Sequence, residues 1–303
     1  STLAFSTQQG SGASDTTSFV GTTGVDSIVF EGNTENFFVG GNAANDLIAF
    51  DNVGFLQTGT YVNGEVKGGA GNDTITDLAG IQLVGTWVNG NAGNDLIGGA
   101  GGFALTALNS TVQGGGGEDT ITIGGGVGTI FNGNKANDTI TIAGVVNAST
   151  IGGGQGNDTL TANGGGILSV TNTSFLLGKG NDSFTETAAN DLGTGNTFDG
   201  GDGNDTITLN AATAADVTIN GDAGNDVIIS GAGDDTLNGG VGNDLITGRG
   251  GDDDMTGGAG GDSFVYDGGS QVADADQTFG NLAIGEIDVI TDFTTASDTI
   301  DLA

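Results

Sequence analysis

The sequence predicts an all-β protein in which parallel strands wind into a solenoid, as a right-handed parallel β-roll or β-helix. Two observations lead to this prediction. A nine-residue unit repeats five times without interruption over 221–265, and each unit ends in a short apolar strand signal. A longer version of the same glycine and aspartate turn recurs upstream at intervals of 19 to 27 residues. Self-similarity of this kind is typical of stacked repeat coils.

Composition agrees with an ordered solenoid. The 303 residues include 63 glycines and no proline, yet 35% of them are hydrophobic and recur at regular intervals. This apolar fraction is enough to fill a narrow core. A chain of this length could form two ordinary domains, but continuous repeats favour one solenoid.

The five strict units have glycine fourth, aspartate sixth and an apolar residue eighth. Glycine permits positive φ, so the first six residues can bend sharply and turn their carbonyl oxygens inward. The last three residues form a short strand whose apolar member points into a core. Two units would make one coil, so we expect Asp226, Asp244 and Asp262 to stack on one edge and Asp235 and Asp253 on the other.

Upstream, one longer unit is predicted to form one whole coil. Its turn is followed by an alternating strand such as Thr120-Ile121-Thr122, in which isoleucine faces inward. A second strand signal, such as Ser110-Thr111-Val112, precedes the next turn. The turn aspartates should stack on one edge, and connections of variable length should form the other. The aspartates of this series are Asp46, Asp73, Asp95, Asp119, Asp138, Asp158, Asp182 and Asp205, after a degenerate turn at Asp26.

Four segments are predicted along the chain. They are an N-terminal arm or edge segment at 1–23, a long-coil solenoid at 24–220, the strict nonapeptide roll at 221–265 and a C-terminal segment at 266–303. The last segment contains GEIDVITDF and SDTIDLA. Because an open solenoid end exposes unpaired strand edges, we expect this segment to cap the solenoid.

The turn aspartates are candidate calcium ligands. Hard carboxylate and carbonyl oxygens, without imidazole or thiolate, suit calcium. Aspartate is also favoured in glycine-rich turns for its local hydrogen bonds, which is the alternative explanation. Stacking favours the ion, because carboxylates about 5 Å apart repel by roughly 3 kcal/mol per pair at an effective dielectric of 20. We expect multiple Ca²⁺ ions at Asp46, Asp73, Asp95, Asp119, Asp138, Asp158, Asp182, Asp205, Asp226, Asp235, Asp244, Asp253 and Asp262.

Folding is therefore expected to depend on calcium, with affinity on the order of 0.1 to 1 mM. The turns before Asp26, Asp46 and Asp138 lack one or more glycines. In the last of these turns Lys135 could partly replace a cation.

The nonapeptide row resembles the repeat of RTX, or haemolysin-type calcium-binding, proteins, whose consensus is G-G-x-G-x-D-x-U-x with U apolar. The tail resembles the segment that follows the repeats in many of these proteins, where D-x-I-x-D-F and D-x-I-D-L close the roll and precede or form part of the secretion signal. The resemblance implies calcium binding, type I secretion and an extracellular or cell-surface location. The N-terminus lacks the regions of a secretory signal, which fits this route and equally fits a cytosolic protein.

Charge and composition argue against several functions. The formal net charge is −34, with 38 acidic and four basic residues, so no basic patch can form for nucleic acid or an anionic membrane. No apolar run of about 18 residues could insert into a membrane. Without histidine or cysteine, no Ser-His-Asp triad or thiolate site can be assembled. Paired carboxylates for glycoside hydrolysis remain an alternative, yet nearly every aspartate pair lies in a repeat turn, so we predict that the chain is not an enzyme.

We expect a secreted structural protein that folds on calcium binding and self-assembles at the bacterial surface as a filament, sheath or surface layer. Its expected partners are further copies of the chain, with a cell-surface polysaccharide as a second candidate. The alternatives are a monomeric calcium-dependent adhesin and the export and folding module of a larger secreted protein. Threonine rows also suggest ice binding, which the irregular spacing disfavours.

Overall fold

The computed structural model describes residues 2–6, 17–31, 34–35, 37–51, 60–77, 82–98, 105–163, 169–188, 191–266, 289–293 and 297–302. These ranges contain strands and turns but no helix. Within them, accordingly, no helical segment has the length and hydropathy needed to cross a membrane. The chain forms two compact units, Ser1–Thr159 and Leu160–Ala303. Parts of the predicted arm at 1–23 and of the predicted C-terminal segment, including 267–288, lie outside the described residues, and the four predicted segments stay a prediction.

The first unit consists of parallel strands in two sheets. Sheet A comprises the strands that directly follow the aspartate turns, which are Ser27–Glu31, Leu47–Asp51, Thr74–Asp77, Leu96–Ile97, Thr120–Val127 and Thr139–Asn147. It also includes Thr2–Ser6, Thr34–Glu35, Thr60–Val62, Gln82–Val84 and Leu105–Leu108. The strands that lead into those turns belong to sheet B: Thr17–Val20, Phe37–Ala43, Glu65–Ala70, Trp87–Ala92, Thr111–Gly116, Ile130–Lys135 and Thr150–Gln155.

The second unit has the same two-sheet arrangement. Its sheet A strands are Thr159–Ala162, which starts at the last residue of the first unit, and Val170–Thr171, Ser183–Glu186, Thr206–Thr208, Val227–Ile229, Leu245–Thr247, Ser263–Tyr266 and Thr299–Leu302. Its sheet B strands are Ser174–Lys179, Thr197–Asp202, Thr218–Ala223, Thr236–Val241, Asp254–Ala259 and Val289–Ile290. The predicted all-β parallel solenoid is confirmed.

Apolar residues stack in register between the sheets. In the first unit, the residue two places after each aspartate forms one buried column: Ile28, Ile48, Ile75, Ile97, Ile121 and Ile140. Sheet B supplies the facing column of Val39, Val66, Val88, Val112, Phe131 and Ile151. Burying each of these side chains stabilises the fold by about 1.5 to 3 kcal/mol relative to exposure. The register of these columns aligns each turn with the equivalent turn of the next coil.

The second unit repeats this core with larger side chains. Phe175 and Phe198 stack with ring centroids 4.6 Å apart, and Phe184 meets Phe198 edge-on at 4.8 Å. Near the C-terminus, Val289–Ile290 pairs with Asp254–Ala259, and Thr299–Leu302 pairs with Ser263–Tyr266. The described part of the tail thus adds one more coil to the stack, and its role as a cap stays a prediction.

Candidate metal centre

Turns at two edges join the sheets within each unit. The first edge comprises the turns from sheet B to sheet A, which end in an aspartate: Asp26, Asp46, Asp73, Asp95, Asp119, Asp138 and Asp158 in the first unit, and Asp182, Asp205, Asp226, Asp244 and Asp262 in the second. The second edge comprises the turns back to sheet B, whose last residues include Thr86, Ser110, Thr129 and Ser149 in the first unit, and Thr173, Asn196, Val217, Asp235 and Asp253 in the second. Within the strict repeats, this is the alternation that the nine-residue spacing predicts.

Positive φ angles shape the first-edge turns. In the turn that ends at Asp73, Gly69 and Gly71 have φ of 118° and 136°. At the position of Gly71 the other turns of the first unit can carry alanine, and Ala44 and Ala136 have φ of 78° and 71°. A left-handed conformation costs a residue with a Cβ roughly 1 kcal/mol relative to glycine. These two turns are therefore strained versions of the same geometry.

Each first-edge aspartate uses one carboxylate oxygen to hold the neighbouring coil. The Asp46 N–H donates to Asp73 Oδ1 at 2.7 Å, and the Asp73 N–H donates to Asp95 Oδ1 at 2.7 Å. The same bond links successive aspartates from Asp26 to Asp158 in the first unit and from Asp182 to Asp262 in the second, at 2.7 to 3.0 Å. Bonds to an ionised acceptor are among the stronger hydrogen bonds, so Oδ1 fixes each carboxylate in place.

The second oxygen of these carboxylates is buried in the turn. For nine first-edge aspartates, Oδ2 has no hydrogen-bond partner among the described residues: Asp46, Asp73, Asp95, Asp119, Asp138, Asp205, Asp226, Asp244 and Asp262. A buried acceptor left unsatisfied costs about 1 to 3 kcal/mol, and more when it is charged. The fold therefore needs a compensating positive group or a proton at these oxygens.

A glycine faces each of the nine oxygens, five residues before its aspartate. A Cβ on Gly68 would lie 2.5 Å from Asp73 Oδ2 and 2.6 Å from the carbonyl oxygen of Gly90, one coil further on. A Cβ on the corresponding glycine would also meet Oδ2 at Gly41, Gly90, Gly114, Gly133, Gly200, Gly221, Gly239 and Gly257. Because glycine has no Cβ, a small space beside the carboxylate oxygen and the main-chain oxygens contains no side-chain atom.

The donor set fits calcium. Within the described ranges, no three acidic, histidine or cysteine side chains come together, so a cation would depend on one carboxylate per coil together with carbonyl oxygens. Oxygen donors of these two kinds are the ligands that calcium takes in proteins. A calcium ion would also supply the positive charge that the buried Oδ2 atoms require.

Burial raises the pKa values of the first-edge carboxyl groups. The pKa is raised to about 7 at Asp95 and Asp226 and to about 8 at Asp138, in each case chiefly by desolvation. Hydrogen bonds from neighbouring backbone N–H groups oppose the shift, and neighbouring carboxylates add to it. Desolvation also raises the pKa to about 6 at Asp119, Asp158 and Asp205. It raises the pKa above the usual value at Asp46, Asp73, Asp244 and Asp262 as well. Protons and calcium would thus compete for the same oxygens.

An asparagine ladder runs beside the aspartates, and the repeat spacing alone does not reveal it. The Asn94 N–H donates to Asn72 Oδ1 at 3.0 Å, and the Asn243 N–H donates to Asn225 Oδ1 at 2.7 Å. These bonds run from one coil back to the coil before it, opposite to the aspartate bonds. Both backbone N–H groups at the end of the turn therefore have side-chain acceptors, one from each neighbouring coil.

Neutral side chains fill the equivalent position on most of the second edge. The Ser110 N–H donates to Thr129 Oγ1 at 3.4 Å, and the Thr129 N–H donates to Ser149 Oγ at 3.2 Å. In the second unit the Val217 N–H donates to Asp235 Oδ1 and the Asp235 N–H to Asp253 Oδ1, both at 2.9 Å. Burial raises the pKa of Asp235 to about 6. Of the thirteen predicted ligands, only Asp235 and Asp253 lie on this edge.

The predicted ligands Asp158 and Asp182 occupy the same ladder positions as the nine, although the Asp182 turn has Leu177 where those turns have glycine. The ladder also includes an aspartate that the metal prediction omitted. The Asp262 N–H donates to Asp298 Oδ1 at 3.1 Å. In the same tail, the Asp292 carboxylate accepts the N–H groups of Gly257 and Gly258 at 2.9 and 2.7 Å. The SDTIDL segment, which resembles the end of other rolls, carried the signal for Asp298.

Comparisons with known proteins agree with this geometry. A family model described as the RTX calcium-binding nonapeptide repeat (4 copies) matches residues 58–80, 109–130, 193–212, 211–237, 218–246 and 229–264. These matches cover turns of both units and all of the five strict nonapeptides except the last residue, Val265. No curated protein and no solved structure gives a significant match to the chain.

Proposed function

This chain carries the calcium-binding nonapeptide repeats of the RTX family, and from that premise we propose that it is a secreted structural protein that folds on calcium and assembles at the bacterial surface. Such repeats are typical of secreted proteins. The observation that carries the calcium part of the proposal is the set of nine buried Oδ2 atoms, stacked within the two units and each facing a glycine.

The first edge supplies the proposed calcium ligands. Each ion is held by a turn aspartate such as Asp73 or Asp226, with main-chain carbonyl oxygens of the turn completing its oxygen shell. Calcium supplies positive charge between stacked carboxylates. The chain itself orients each carboxylate through the backbone bond to Oδ1 and keeps the space open with glycine. Because one ion binds residues of stacked turns, binding favours the folded state over the unfolded chain.

Export follows from the same dependence on calcium. Without the ion, repulsion of about 3 kcal/mol per neighbouring carboxylate pair opposes the solenoid, so the chain stays unfolded where calcium is scarce. An unfolded chain suits passage through a secretion channel. Millimolar extracellular calcium then drives folding outside the cell.

Open strand edges support the assembly part of the proposal. Thr17–Val20 pairs with Phe37–Ala43 on one side and has no strand on its other side among the described residues. Thr299–Leu302 likewise pairs only with Ser263–Tyr266 in that part of the chain. Exposed parallel edges can pair with strands of another copy, and a head-to-tail contact that does not close gives a filament.

The second candidate is a monomeric calcium-dependent adhesin or an export module, and the family match favours it as much as it favours assembly. We also propose that the chain has no enzymatic activity. Most of its buried carboxylates are engaged in turn-to-turn hydrogen bonds rather than grouped in a cleft.

Analytical ultracentrifugation combined with circular dichroism tests the proposal. Protein treated with EGTA is titrated with calcium from micromolar to several millimolar. A transition from coil to β structure with large sedimenting species is expected. The same transition with a lone 29.5 kDa species would leave calcium-dependent folding intact and refute assembly. Stable β structure in EGTA that calcium does not change would refute the ion mechanism.

A further inference from the structure

The second edge of the second unit differs from the first edge in what fills its turns. In the turn 230–235, the residue five places before Asp235 is Ser230 rather than glycine. The Ser230 side chain is fully buried, and its hydroxyl donates to the carbonyl oxygen of Gly248 at 2.6 Å. A serine Cβ and hydroxyl thus occupy the space that glycine leaves uncovered on the first edge.

Arg249 engages the main-chain oxygens of the same edge. Its Nη1 donates to the carbonyl oxygen of Ser230 at 3.1 Å and to that of Leu209 at 2.9 Å. These two acceptors lie in two successive coils before the coil of Arg249. The half-buried guanidinium therefore brings a permanent positive charge to carbonyl oxygens at the metal-binding position of this edge.

A buried anion balances this charge on the far side of one peptide group. The Leu209 carbonyl accepts from Arg249, while the N–H of the same peptide, on Asn210, donates to Glu186 Oε2 at 2.9 Å. Glu186 is 3% exposed and also accepts the N–H groups of Asp191 and Leu192 at 3.1 and 3.2 Å. The positive and negative side chains are thus both held by hydrogen bonds within the protein.

We propose that Ser230 and Arg249 replace calcium on this part of the second edge, so that the turn 230–235 takes no metal. The Ser230 side chain fills the space beside the Gly248 carbonyl oxygen, and the Arg249 guanidinium binds the carbonyl oxygens of Leu209 and Ser230. The inference rests on the proposed calcium binding at the first edge. It makes Asp235 Oδ1 a structural acceptor for the Val217 N–H. Asp235 Oδ2, which is buried without a hydrogen-bond partner among the described residues, then lacks the calcium ion proposed for the same atom on the first edge. In the folded chain, the guanidinium contacts on this part of the second edge require no calcium.

Native mass spectrometry at saturating calcium tests this inference by counting bound ions. The double substitution Ser230→Gly and Arg249→Gly restores the glycines of the first-edge pattern, and it is expected to bind one more calcium ion than the unaltered chain. Arg249→Lys keeps the positive charge and should leave the count unchanged. Lys179→Gln is the matched control, because it removes one positive charge from an exposed pair with Asp202 on the first edge.

An equal count in the double variant and the unaltered chain would overturn the inference while leaving calcium binding at the first edge intact. Absence of bound calcium in every variant would overturn the proposed function and the inference together. Arg249→Gly alone provides a second test if the double variant misfolds. This single variant should fold, because φ at this position is 67°, which glycine adopts readily. Because Ser230 still fills its space, this single variant should bind no extra ion, and its melting temperature at saturating calcium should fall below that of the unaltered chain. An extra bound ion or an unchanged melting temperature would also contradict the proposal.

Discussion

Replacing Asp95 by asparagine should change stability in opposite directions with and without calcium. Asparagine has the same shape and retains Oδ1, so it can still accept the Asp73 N–H, now 2.7 Å from that oxygen. It removes the charge of a carboxylate that stacks between Asp73 and Asp119 and whose pKa burial raises to about 7. The substitution therefore separates the charge of the ladder from its hydrogen bonds.

The magnitudes follow from the ladder geometry. At a strand spacing of about 4.8 Å and an effective dielectric of 20, each neighbouring carboxylate repels Asp95 by about 3 kcal/mol. Asp95→Asn should therefore stabilise the calcium-free fold at pH 8 by about 1 to 6 kcal/mol, depending on how many neighbours are protonated. With calcium at about twenty times its Kd, loss of one ion should destabilise the fold by about 1.8 kcal/mol.

Circular dichroism can measure both signs. In EGTA at pH 8, folding is driven by trimethylamine N-oxide, and the variant should fold at a lower concentration of this osmolyte than the unaltered chain. In a calcium titration, the variant should need more calcium. Glu118→Gln is the control, because it removes an exposed charge next to Asp119 and should shift both midpoints only slightly. Equal destabilisation by Asp95→Asn under both conditions would refute the ion ladder and leave only a structural role.

Three further predictions concern the turns and their protonation. Gly68→Ala should remove one bound ion and destabilise the fold by about 1 to 3 kcal/mol, because its Cβ would overlap Asp73 Oδ2. Gly116→Ala is the control and should be tolerated, because its Cβ would lie 3.6 Å from the nearest atom. Ion counting and urea unfolding measure the bound ions and the stability of each variant. Ala136→Gly should stabilise the calcium-bound fold by up to about 1 kcal/mol, since φ is 71° there; an unchanged or lower urea midpoint would contradict this. Burial raises the carboxyl pKa values to about 6 to 8 at Asp95, Asp119 and Asp138, so protonation favours the folded state. In EGTA this stabilisation should be fully present below about pH 4 and lost as pH rises through 6 to 8, and β structure that does not increase on acidification would refute it.

The parts of the fold that depend on local spacing could be predicted from the sequence. An apolar residue two places after each aspartate must face inward if the aspartate ends the turn, and the buried column through Ile48, Ile75 and Ile97 confirms this. The positions of the turn aspartates followed from the same spacing. Their role as calcium ligands stays a prediction, because it depends on ions rather than on the chain alone.

The contacts between coils could not be predicted, because they depend on the register of coils of different lengths. Ser110, Thr129 and Ser149 look like ordinary polar residues before a strand, and only stacking reveals them as one ladder. Lys135 is a candidate substitute cation from the sequence, but it lies exposed at the third position of its turn. Arg249 lies one position earlier in its own turn and reaches the carbonyl oxygens of earlier coils.

The opposite directions of the two first-edge ladders have a consequence for cooperativity. The aspartate N–H of each coil needs the coil after it, and the preceding N–H needs the coil before it, as at Asp226 and Asn225. A single coil can satisfy neither group, and a pair satisfies one in each member, so three coils are the shortest stack with a complete member. Stability should therefore rise steeply with coil number and then level off, as in a nearest-neighbour chain with a nucleation threshold. Fraying of a coil at either end exposes only one of these amides, in the coil that becomes terminal, so neither end is the preferred starting point for unfolding on this ground.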